Sequence, residues 1–331
     1  MKRSIIIAEA GVNHNGSFNL AKKLVFAAKK MGADIIKFQI FKADSLALTS
    51  TSKANYQKNT KFKNQYEMLK KLELKENDFL KLSKLCKKIK IEFSASFFNE
   101  SDLKIIPKLS LKRIKIPSGE ITNYNLLKKI GSFNKKIILS TGMSNLNEIK
   151  QALDVLIKFG ARRKDITLLH CNTEYPSPLK DINLRAINVL RKTFKTNVGY
   201  SDHTISIETP IAAIALGAKI IEKHFTLNQK LEGPDHESSL TPSEFKKMSF
   251  SIRNTEKLIG IEKKFISKSE KKNILKCRQF LLAKKEIKKG EFFGNHNITL
   301  KRTGSGGISP MTIPELFRKK AKKNYKKNEK I

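Results

Sequence analysis

Lysine, hydroxyl and carboxylate side chains stand at or just after the ends of several short apolar runs. They are Glu9, Lys37, Gln39, Ser94, Ser96, Lys115, Ser118, Glu120, Ser140, Thr173, Tyr175 and Ser201. Ammonium groups attract an anion, and hydroxyl groups together with the backbone N–H groups of a glycine-containing turn orient it. A single lysine would be uninformative, but two lysines among several hydroxyls predict an anion site, and phosphate is the anion that this combination favours.

Two histidines, His203 and His224, end neighbouring apolar runs. A lone histidine is more often a hydrogen-bonded surface or core residue, whereas two converging imidazoles favour a site for one divalent ion. Such a site leaves coordination positions open for water and a substrate oxygen, which suits Lewis-acid catalysis. Glu222 shares a strand face with His224 and would either fix that imidazole or act as a further ligand. An internal ion pair of Glu222 with Lys37 or Lys115 is the third reading.

Two carboxylates, Glu9 and Glu120, are the candidates for acid–base chemistry. They follow different apolar runs, so one could orient substrate hydroxyls while the other transfers protons, and the sequence does not rank them. His14 either takes part in the site or ends its strand and helps to cap the next helix. His236 lies in a Gly-Pro loop after His224 and is a further candidate.

An alternation of short β-rich runs with helical segments extends over about 260 residues and would place these side chains together. The predicted strands are Ser4–Ala10, Asp34–Gln39, Ile91–Ser96, Lys112–Ile116, Lys136–Ser140, Ile166–Cys171, Asn197–Tyr200 and Lys219–Phe225. Clear helical patterns cover Asn19–Met31, Glu76–Lys88, Asn145–Phe159 and Pro242–Ile259. Eight such units predict an α/β fold, a closed (β/α)8 barrel (TIM barrel) over residues 1–260, with its chemistry at the carboxyl ends of the strands.

Two further segments depart from this pattern. The stretch Lys42–Leu74 is too long for an ordinary connection, and we interpret it as a lid-like loop over the barrel mouth. After the barrel, residues 261–276 form a predicted linker and residues 277–331 a predicted small second domain. Its lysine-rich end, from Arg318 onward, is equally compatible with a disordered tail and with a folded segment.

The composition restricts the class of protein. Lys+Arg 67 against Asp+Glu 30 gives a formal charge of +37, but only 10 of the basic residues are arginine and the lysines are scattered. Nucleic-acid binding is therefore the minor interpretation. Three separated cysteines, Cys86, Cys171 and Cys277, support no disulfide framework, and no apolar run reaches membrane-spanning length. We expect a soluble cytoplasmic protein with no membrane or nucleic-acid partner.

The motifs that carry these residues resemble the sialic acid (N-acetylneuraminate) synthases, in order and over nearly the whole chain. They are Ala8-Glu9-Ala10-Gly11-Val12-Asn13-His14-Asn15-Gly16, Lys37-Phe38-Gln39, Lys115-Ile116-Pro117-Ser118-Gly119-Glu120, Ser140-Thr141-Gly142-Met143, His170-Cys171-Asn172-Thr173-Glu174-Tyr175-Pro176, Ser201-Asp202-His203-Thr204, Glu222-Lys223-His224-Phe225-Thr226 and Gly233-Pro234-Asp235-His236. The resemblance implies a barrel followed by an antifreeze-like (SAF) domain at residues 277–331. It also implies a domain-swapped homodimer in which that domain reaches over the partner's active site.

The implied reaction condenses phosphoenolpyruvate with N-acetylmannosamine and water to give N-acetylneuraminate and phosphate. By the resemblance, His203 and His224 hold Mn²⁺ or Mg²⁺, and Glu120 with Glu9 carries acid–base work. The implied phosphoenolpyruvate contacts are Lys37, Ser96, Lys115, Ser118, Ser140, Thr173 and Ser201. The implied acceptor contacts are Glu9, Gln39, Tyr175, Asp235 and, in the small domain, Arg302.

Three alternatives stay open beside N-acetylneuraminate synthase. Legionaminate synthases, which use 2,4-diacetamido-2,4,6-trideoxymannose, share much of the same pattern. A metal-dependent aldolase that uses pyruvate on the same barrel would also employ the histidines. A basic, non-catalytic binding protein would instead show association with nucleic acid that weakens steeply with salt.

Overall fold

The computed structural model describes residues 3–57 and 60–331, and they divide into two compact units. The first unit ends at Gly260 and the second covers Ile261–Ile331. Each unit has a hydrophobic core of its own. Within the described ranges, no helix combines the length and the apolar character that crossing a membrane requires.

Eight parallel strands of the first unit close into a barrel, in which each strand pairs with the next and the last pairs with the first. They are β1 (Ile5–Gly11), β2 (Ile35–Ile40), β3 (Glu92–Phe97), β4 (Arg113–Ile116), β5 (Lys136–Ser140), β6 (Ile166–His170), β7 (Asn197–Asp202) and β8 (Ile220–His224). The predicted barrel is confirmed, and no strand end is displaced by more than two residues. The largest displacement extends β7 to Asp202, so His203 follows this strand directly.

Amphipathic helices cover the outside of the barrel, as the sequence pattern predicts. The α-helices of this unit are α1 (Phe18–Lys30), α2 (Ala43–Leu46), α3 (Gln65–Leu72), α4 (Glu76–Ile89), α5 (Tyr124–Gly131), α6 (Leu146–Lys158), α7 (Ala186–Phe194), α8 (Glu208–Ala215) and α9 (Pro242–Ile259). Helix α9 shows how local chemistry sets a boundary. Thr241 accepts a hydrogen bond from the N–H of Glu244, whose carboxylate accepts one from the N–H of Thr241, and Pro242 occupies the first turn.

The segment after β3 differs from the helical pattern around it. It forms a 3₁₀ helix, Glu100–Lys108, which contains Pro107. Proline has no N–H to donate and its ring crowds the carbonyl of the preceding turn, so a regular α-helix is disfavoured here. Shorter 3₁₀ helices of this unit are Asn55–Gln57, Ser118–Glu120, Arg163–Asp165 and Leu179–Asp181.

The predicted lid-like loop, Lys42–Leu74, contains local helices. Helix α3 buries Met68 and Leu72 against Val12 and Phe41, which anchors the segment beside the loop that follows β1. Residues 58 and 59 of this stretch lie outside the described residues.

The second unit is a small β-containing fold. Its elements are α10 (Lys268–Cys277), β9 (Gln279–Ala283), β10 (Ile298–Arg302), a 3₁₀ helix (Pro310–Thr312) and α11 (Ile313–Leu316). Strands β9 and β10 are antiparallel. Residues 261–276, which the sequence pattern presents as a linker, thus contain most of a helix that belongs to this unit.

The lysine-rich end of the chain is folded. Isolated bridges pair Lys320, Tyr325 and Lys330 with earlier residues of the second unit. Ala321 is buried in its core, and the Tyr325 ring lies 5.9 Å from that of Phe293. Of the two interpretations of this stretch, a disordered tail is therefore wrong. Ala321, Tyr325 and Ile331 pack into the core of the second unit, and this burial offsets the entropy cost of ordering them.

Gly199 of β7 permits close packing inside the barrel. A Cβ atom there would lie 2.5 Å from the carbonyl oxygen of Ile220 and 2.6 Å from a methyl group of Leu169. Those two side chains belong to an inner layer of buried apolar residues, which fills the barrel beneath the polar strand ends.

We expect Gly199→Ala to lower the free energy of unfolding by about 1–3 kcal/mol, because the added methyl group overpacks this layer. Gly119→Ala is the matched control, since no atom lies within 4 Å of the added Cβ there. Chemical denaturation measures both variants. Equal stability of the two would contradict the packing argument.

Candidate active site

A cavity of about 390 Å³ opens at the carboxyl ends of the barrel strands. It gathers most of the predicted site residues, namely Glu9, Lys37, Gln39, Ser96, Lys115, Ser118, Ser140, Thr173, Tyr175, Ser201, His203 and His224. It is also lined by Ala54, Tyr56, Phe98, Pro117, Gly119, Met143 and Glu222. The predicted residues Glu120, Asp235 and Arg302 and the further candidates Ser94, His14 and His236 are not part of this lining.

Strand register explains why residues far apart in the chain meet. In the parallel pairing, Glu9 of β1 lies opposite both Lys37 of β2 and His224 of β8. Ser96 of β3 lies opposite Lys115 of β4. Because side chains alternate between the two faces of a strand, these residues share the inner face near the open end of the barrel.

A network of four buried charged side chains, Glu9, Lys37, Glu222 and Lys115, crosses this end of the barrel. The Nζ of Lys37 lies 2.9 Å from Oε2 of Glu9 and 3.6 Å from Oε2 of Glu222, and it donates to the Ser96 hydroxyl at 2.8 Å. The Nζ of Lys115 lies 3.0 Å from Oε1 of Glu222. Among the three roles left open for Glu222, the structure supports the ion pair, and the pair forms with both lysines.

The charges of Lys37 and Glu222 sustain each other. Burial alone would raise the pKa of Glu222, but Lys115 and Lys37 outweigh burial and hold this pKa well below its usual range. Burial alone would lower the pKa of Lys37, but Glu222 and Glu9 raise it above its usual value. Both groups are therefore ionised at neutral pH.

For Lys115 and Glu9, the other two members of this network, nearby opposite charges do not offset the effect of burial. Burial lowers the pKa of Lys115 despite its contact with Glu222. Burial also raises the pKa of Glu9, against the opposing effect of Lys37. Gln39 donates from Nε2 to Glu9 at 3.3 Å. A further negative charge in the cavity would stabilise the ammonium form of Lys115, since an opposite charge nearby favours the charged state.

The predicted pair of histidines does converge. The ring centroids of His203 and His224 are 5.5 Å apart, and both side chains are buried. Burial lowers the pKa of His203 to about 4 and, together with His203, holds the pKa of His224 well below its usual value. Both imidazoles are therefore neutral at pH 7, which is the form that binds metal ions.

Each imidazole has a ring nitrogen that suits a metal ion. Nδ1 of His203 is 2.5 Å from the carbonyl oxygen of Asn172, so it carries the proton and donates, which leaves a lone pair on Nε2. Nδ1 of His224 is buried without a hydrogen-bond partner in the described part of the chain, and Oδ2 of Asp235 lies 3.6 Å from it.

These two histidines fit a divalent ion whose coordination is completed by water and substrate. Among the described residues, no group of three or more His, Cys, Asp or Glu side chains has the arrangement of a metal site. Two neutral imidazoles, one with a buried nitrogen that has no hydrogen-bond partner among those residues, suit an open catalytic site.

Stacked aromatic rings form one wall of the cavity. The Tyr175 ring lies over His203 with centroids 4.0 Å apart and meets the edge of His224 at 5.7 Å. Tyr56, from the predicted lid-like loop, lies 4.8 Å from Tyr175. The part of the loop that carries Tyr56 thus reaches the cavity, as predicted.

Asp235 is buried behind His224, next to Gly11. Burial, followed by the charge of Glu9, raises the pKa of Asp235 to about 7. Gly11 has a left-handed backbone, with φ of +52°, and a Cβ there would lie 3.2 Å from Oδ2 of Asp235 and 3.3 Å from Cε1 of His224. Glycine is required at this position for both its conformation and its small size.

Glu120 lies on the rim, half-buried, in the 3₁₀ helix after β4. Its Oε2 accepts a hydrogen bond from Nδ2 of Asn123 at 2.7 Å, and burial raises its pKa. Arg302 ends β10 in the second unit, where it is exposed.

The other two candidate histidines, His236 and His14, form hydrogen bonds with loop residues and do not line the cavity. Nδ1 of His236 lies 2.7 Å from the Thr226 hydroxyl, and its Nε2 lies 3.2 Å from Oδ1 of Asn15. His14 is buried, and its Nδ1 accepts a hydrogen bond from the N–H of Gly16 at 3.1 Å. His14 therefore stabilises the turn after β1, in agreement with its structural interpretation.

Sequence reasoning missed the apolar part of the lining. Phe98 and Met143 line the cavity beside polar neighbours, and Tyr56 enters from an insert with no strand pattern. The only signal was position, because Phe98 and Met143 each closely follow a predicted strand end. The stacking of Tyr56 on Tyr175 had no signal in the spacing of residues.

The fold and the site define an α/β-barrel protein whose cavity combines two buried lysines with a pair of imidazoles, and comparisons identify the family. A model of the NeuB family matches residues 24–264, and the chain belongs to this family. The resemblance to the sialic acid synthases is thereby confirmed.

Three similar proteins have informative names. The chain is 52% identical over 333 residues to the N,N'-diacetyllegionaminic acid synthase of Campylobacter jejuni, covering 100% of this chain and 99% of that protein. It is 44% identical over 315 residues to the protein of the same name from Legionella pneumophila, covering 94% and 88%. The solved N-acetylneuraminic acid synthetase of Leptospira borgpetersenii has a TM-score of 0.73 and 33% identity, covering 82% of this chain and 90% of that one.

We expect Glu222→Gln to lower the free energy of unfolding by about 3–5 kcal/mol, because two buried ammonium groups lose their shared counter-charge. Unfolding in denaturant at several pH values measures it. The loss should shrink as the pH rises from about 7 to 10, since the lysines of the folded variant then give up protons more readily than those of the unfolded chain.

Glu76→Gln is the control for this variant. It removes an exposed ion pair with Lys108, at 2.7 Å, and should cost no more than about 1 kcal/mol. Equal losses for the two variants, or a loss from Glu222→Gln that grows with pH, would show that the buried network does not depend on Glu222.

Proposed function

We propose that the protein is an N,N'-diacetyllegionaminate synthase. It would condense phosphoenolpyruvate with 2,4-diacetamido-2,4,6-trideoxymannose and water, giving N,N'-diacetyllegionaminate and phosphate. The observation that carries this proposal is the meeting of two buried lysines and two neutral imidazoles in one cavity, in a member of the NeuB family. The choice of acceptor, over the N-acetylmannosamine of the initial expectation, rests on the names of the relatives that are 52% and 44% identical.

Phosphoenolpyruvate would bind by its carboxylate and phosphate groups to Lys37 and Lys115. Around them, hydroxyl groups offer donors to these oxygens: Ser96, Ser118, Ser140, Thr173 and Ser201 all line the cavity. The hydroxyl of Ser140 is buried without a partner in the described residues, so it is free to donate. Burial lowers the pKa of Lys115, and a bound anion would supply the counter-charge that opposes this effect, which supports the assignment.

His203 and His224 would hold Mn²⁺ or Mg²⁺. When bound, the ion would act as a Lewis acid on the aldehyde oxygen of the open-chain acceptor. The protein contributes neutral imidazoles and the buried surroundings that keep them neutral.

The proposed reaction joins C3 of phosphoenolpyruvate to the aldehyde carbon. Water adds at C2, and the bond between C2 and the phosphate oxygen breaks. Glu120, whose pKa is raised by burial, would pass the proton of that water to the former aldehyde oxygen, and the proton of the new C2 hydroxyl would leave with the phosphate as C2 becomes a carbonyl. Glu9 would orient the acceptor hydroxyls. Holding both substrates in one cavity removes much of the entropic part of the barrier.

Gln39, Tyr175 and Asp235 would contact the acceptor sugar together with Glu9. We further propose that the second unit is an antifreeze-like domain and that the protein is a homodimer. In this dimer, Arg302 of one copy would bind an N-acyl group of the acceptor in the barrel of the other copy.

The decisive assay measures phosphate release from phosphoenolpyruvate with different acceptors. We expect kcat/KM for 2,4-diacetamido-2,4,6-trideoxymannose to exceed that for N-acetylmannosamine by at least about tenfold, the scale of discrimination that one or two missing pocket contacts produce. Lys115→Met should abolish release, whereas Lys112→Met, at an exposed position next to β4, should retain it.

Other outcomes have distinct meanings. Preference for N-acetylmannosamine would make the protein an N-acetylneuraminate synthase. Turnover of pyruvate without phosphate release would replace the proposal by an aldolase. Absence of turnover, with binding of nucleic acid that weakens as salt is added, would replace it by a non-catalytic binding protein.

We expect His224→Ala to lower the rate at least about 100-fold even with excess Mn²⁺, because Lewis-acid stabilisation is worth several kcal/mol. His296→Ala changes an exposed histidine of the second unit and serves as the control. Steady-state phosphate release measures both. Full activity of His224→Ala would remove the metal from the proposal.

A further inference from the structure

A fully buried ion pair lies on the outer side of the barrel wall, directly behind the two site histidines. Lys223 of β8 and Asp202 of β7 are both 0% exposed, and the Lys223 Nζ lies 2.6 Å from Oδ2 of Asp202. Asp202 precedes His203 and Lys223 precedes His224. Because side chains alternate along a strand, the ion pair faces away from the cavity while the imidazoles line it.

The pair also holds the backbone after β7. Besides Asp202, the Lys223 ammonium donates to the carbonyl oxygens of Thr204 and Ser206, the latter at 3.1 Å. The two residues that flank His203, Asp202 and Thr204, are therefore both tied to β8. The backbone on both sides of His203 is therefore held in place by Lys223.

Asp202 extends the same cluster to the neighbouring helix. Its carboxylate accepts hydrogen bonds from the Tyr200 hydroxyl at 3.1 Å, the Thr204 N–H at 3.0 Å and the Thr209 hydroxyl at 2.7 Å. Thr209 lies in the first turn of α8. Strand β7, the loop after it, helix α8 and strand β8 thus meet at one pair of charges.

Stability alone does not account for this arrangement. Taking two charges out of water costs several kcal/mol per ion, and a well-packed apolar pair is often as stable or more stable. Because Asp202 and Lys223 are the chain neighbours of His203 and His224, the pair can fix the position of both imidazoles. The ring of His224 has no hydrogen bond at Nδ1 among the described residues, so its place depends on its backbone more than that of His203 does.

We propose that Asp202 and Lys223 are positioning residues that hold His203 and His224 at the spacing required to bind one divalent ion. The inference rests on the metal part of the proposed function and adds to it the two residues that set the affinity. Residues that orient metal ligands from behind typically contribute a factor of 10–100 in metal affinity.

The test measures binding of Mn²⁺ to the full-length protein, stripped of metal and without substrates, by isothermal titration calorimetry. The double variant Asp202→Asn with Lys223→Met removes both charges and keeps the side-chain shapes. We expect its dissociation constant for Mn²⁺ to rise at least about tenfold. Its dissociation constant for phosphoenolpyruvate, measured without metal, should stay within about twofold, since Lys37 and Lys115 lie on other strands.

A control removes a second ion pair of the barrel wall, which is only partly buried. Arg113 and Glu92 begin β4 and β3, at the opposite end of the barrel from the histidines, and Nε of Arg113 lies 2.8 Å from Oε1 of Glu92. The double variant Glu92→Gln with Arg113→Met should bind Mn²⁺ as the wild type does, even if its melting temperature falls as much. Equal weakening in both double variants would reduce the role of Asp202 and Lys223 to general stability.

Thr209→Val provides the test if the double variant does not fold. It keeps both charges and the side-chain shape but removes one anchor of the Asp202 carboxylate, and we expect Mn²⁺ to bind at least about threefold more weakly. Unchanged affinity in the folded variants would overturn the inference and leave the proposed function in place. A wild-type protein that binds no Mn²⁺ would overturn the inference together with the metal part of that function.

Discussion

The site depends on the placement of one carboxylate, Glu222, between two buried ammonium groups. Its distances to Lys37 and Lys115 are 3.6 and 3.0 Å, and all three side chains are almost wholly buried. Two lysines this close would repel each other in a medium that screens charge poorly, and one of them would lose its proton. Glu222 reduces this repulsion, and a bound anion would supply the further counter-charge that Lys115 lacks.

Strand β8 joins the two halves of the site. Glu222 forms ion pairs with the two lysines. His224, two residues further along the same face of the strand, lies against His203. The position of the two lysines relative to the imidazole pair is therefore set by one strand. Lys223 lies between them on the opposite face and binds Asp202 on β7. Three consecutive residues thus take part in three separate contacts, each on the face that strand alternation assigns.

Several site residues were predictable because their chemistry is local in the chain. Lys37, Ser96 and Ser140 stand on or at the ends of strands with a clear pattern, so their place at the barrel mouth followed once the strands were counted. Glu222 was different. The same spacing is compatible with a ligand, a support or an ion pair, and only the distance to a partner decides among them. Tyr56 was harder still, since its insert has no repeating pattern.

The sequence by itself determined the number of strands, the type of fold and the rim on which the chemistry lies, because alternation, helix period and turn residues are properties of neighbouring residues. Only the tertiary structure decided which charges pair. Lys115 and Glu222 are 107 residues apart in the chain, and their contact exists because the barrel closes with one particular register. The folded end of the chain was also decided by tertiary contacts. Its few apolar residues stand among many lysines, and they become buried only by packing against residues that precede them in the second unit.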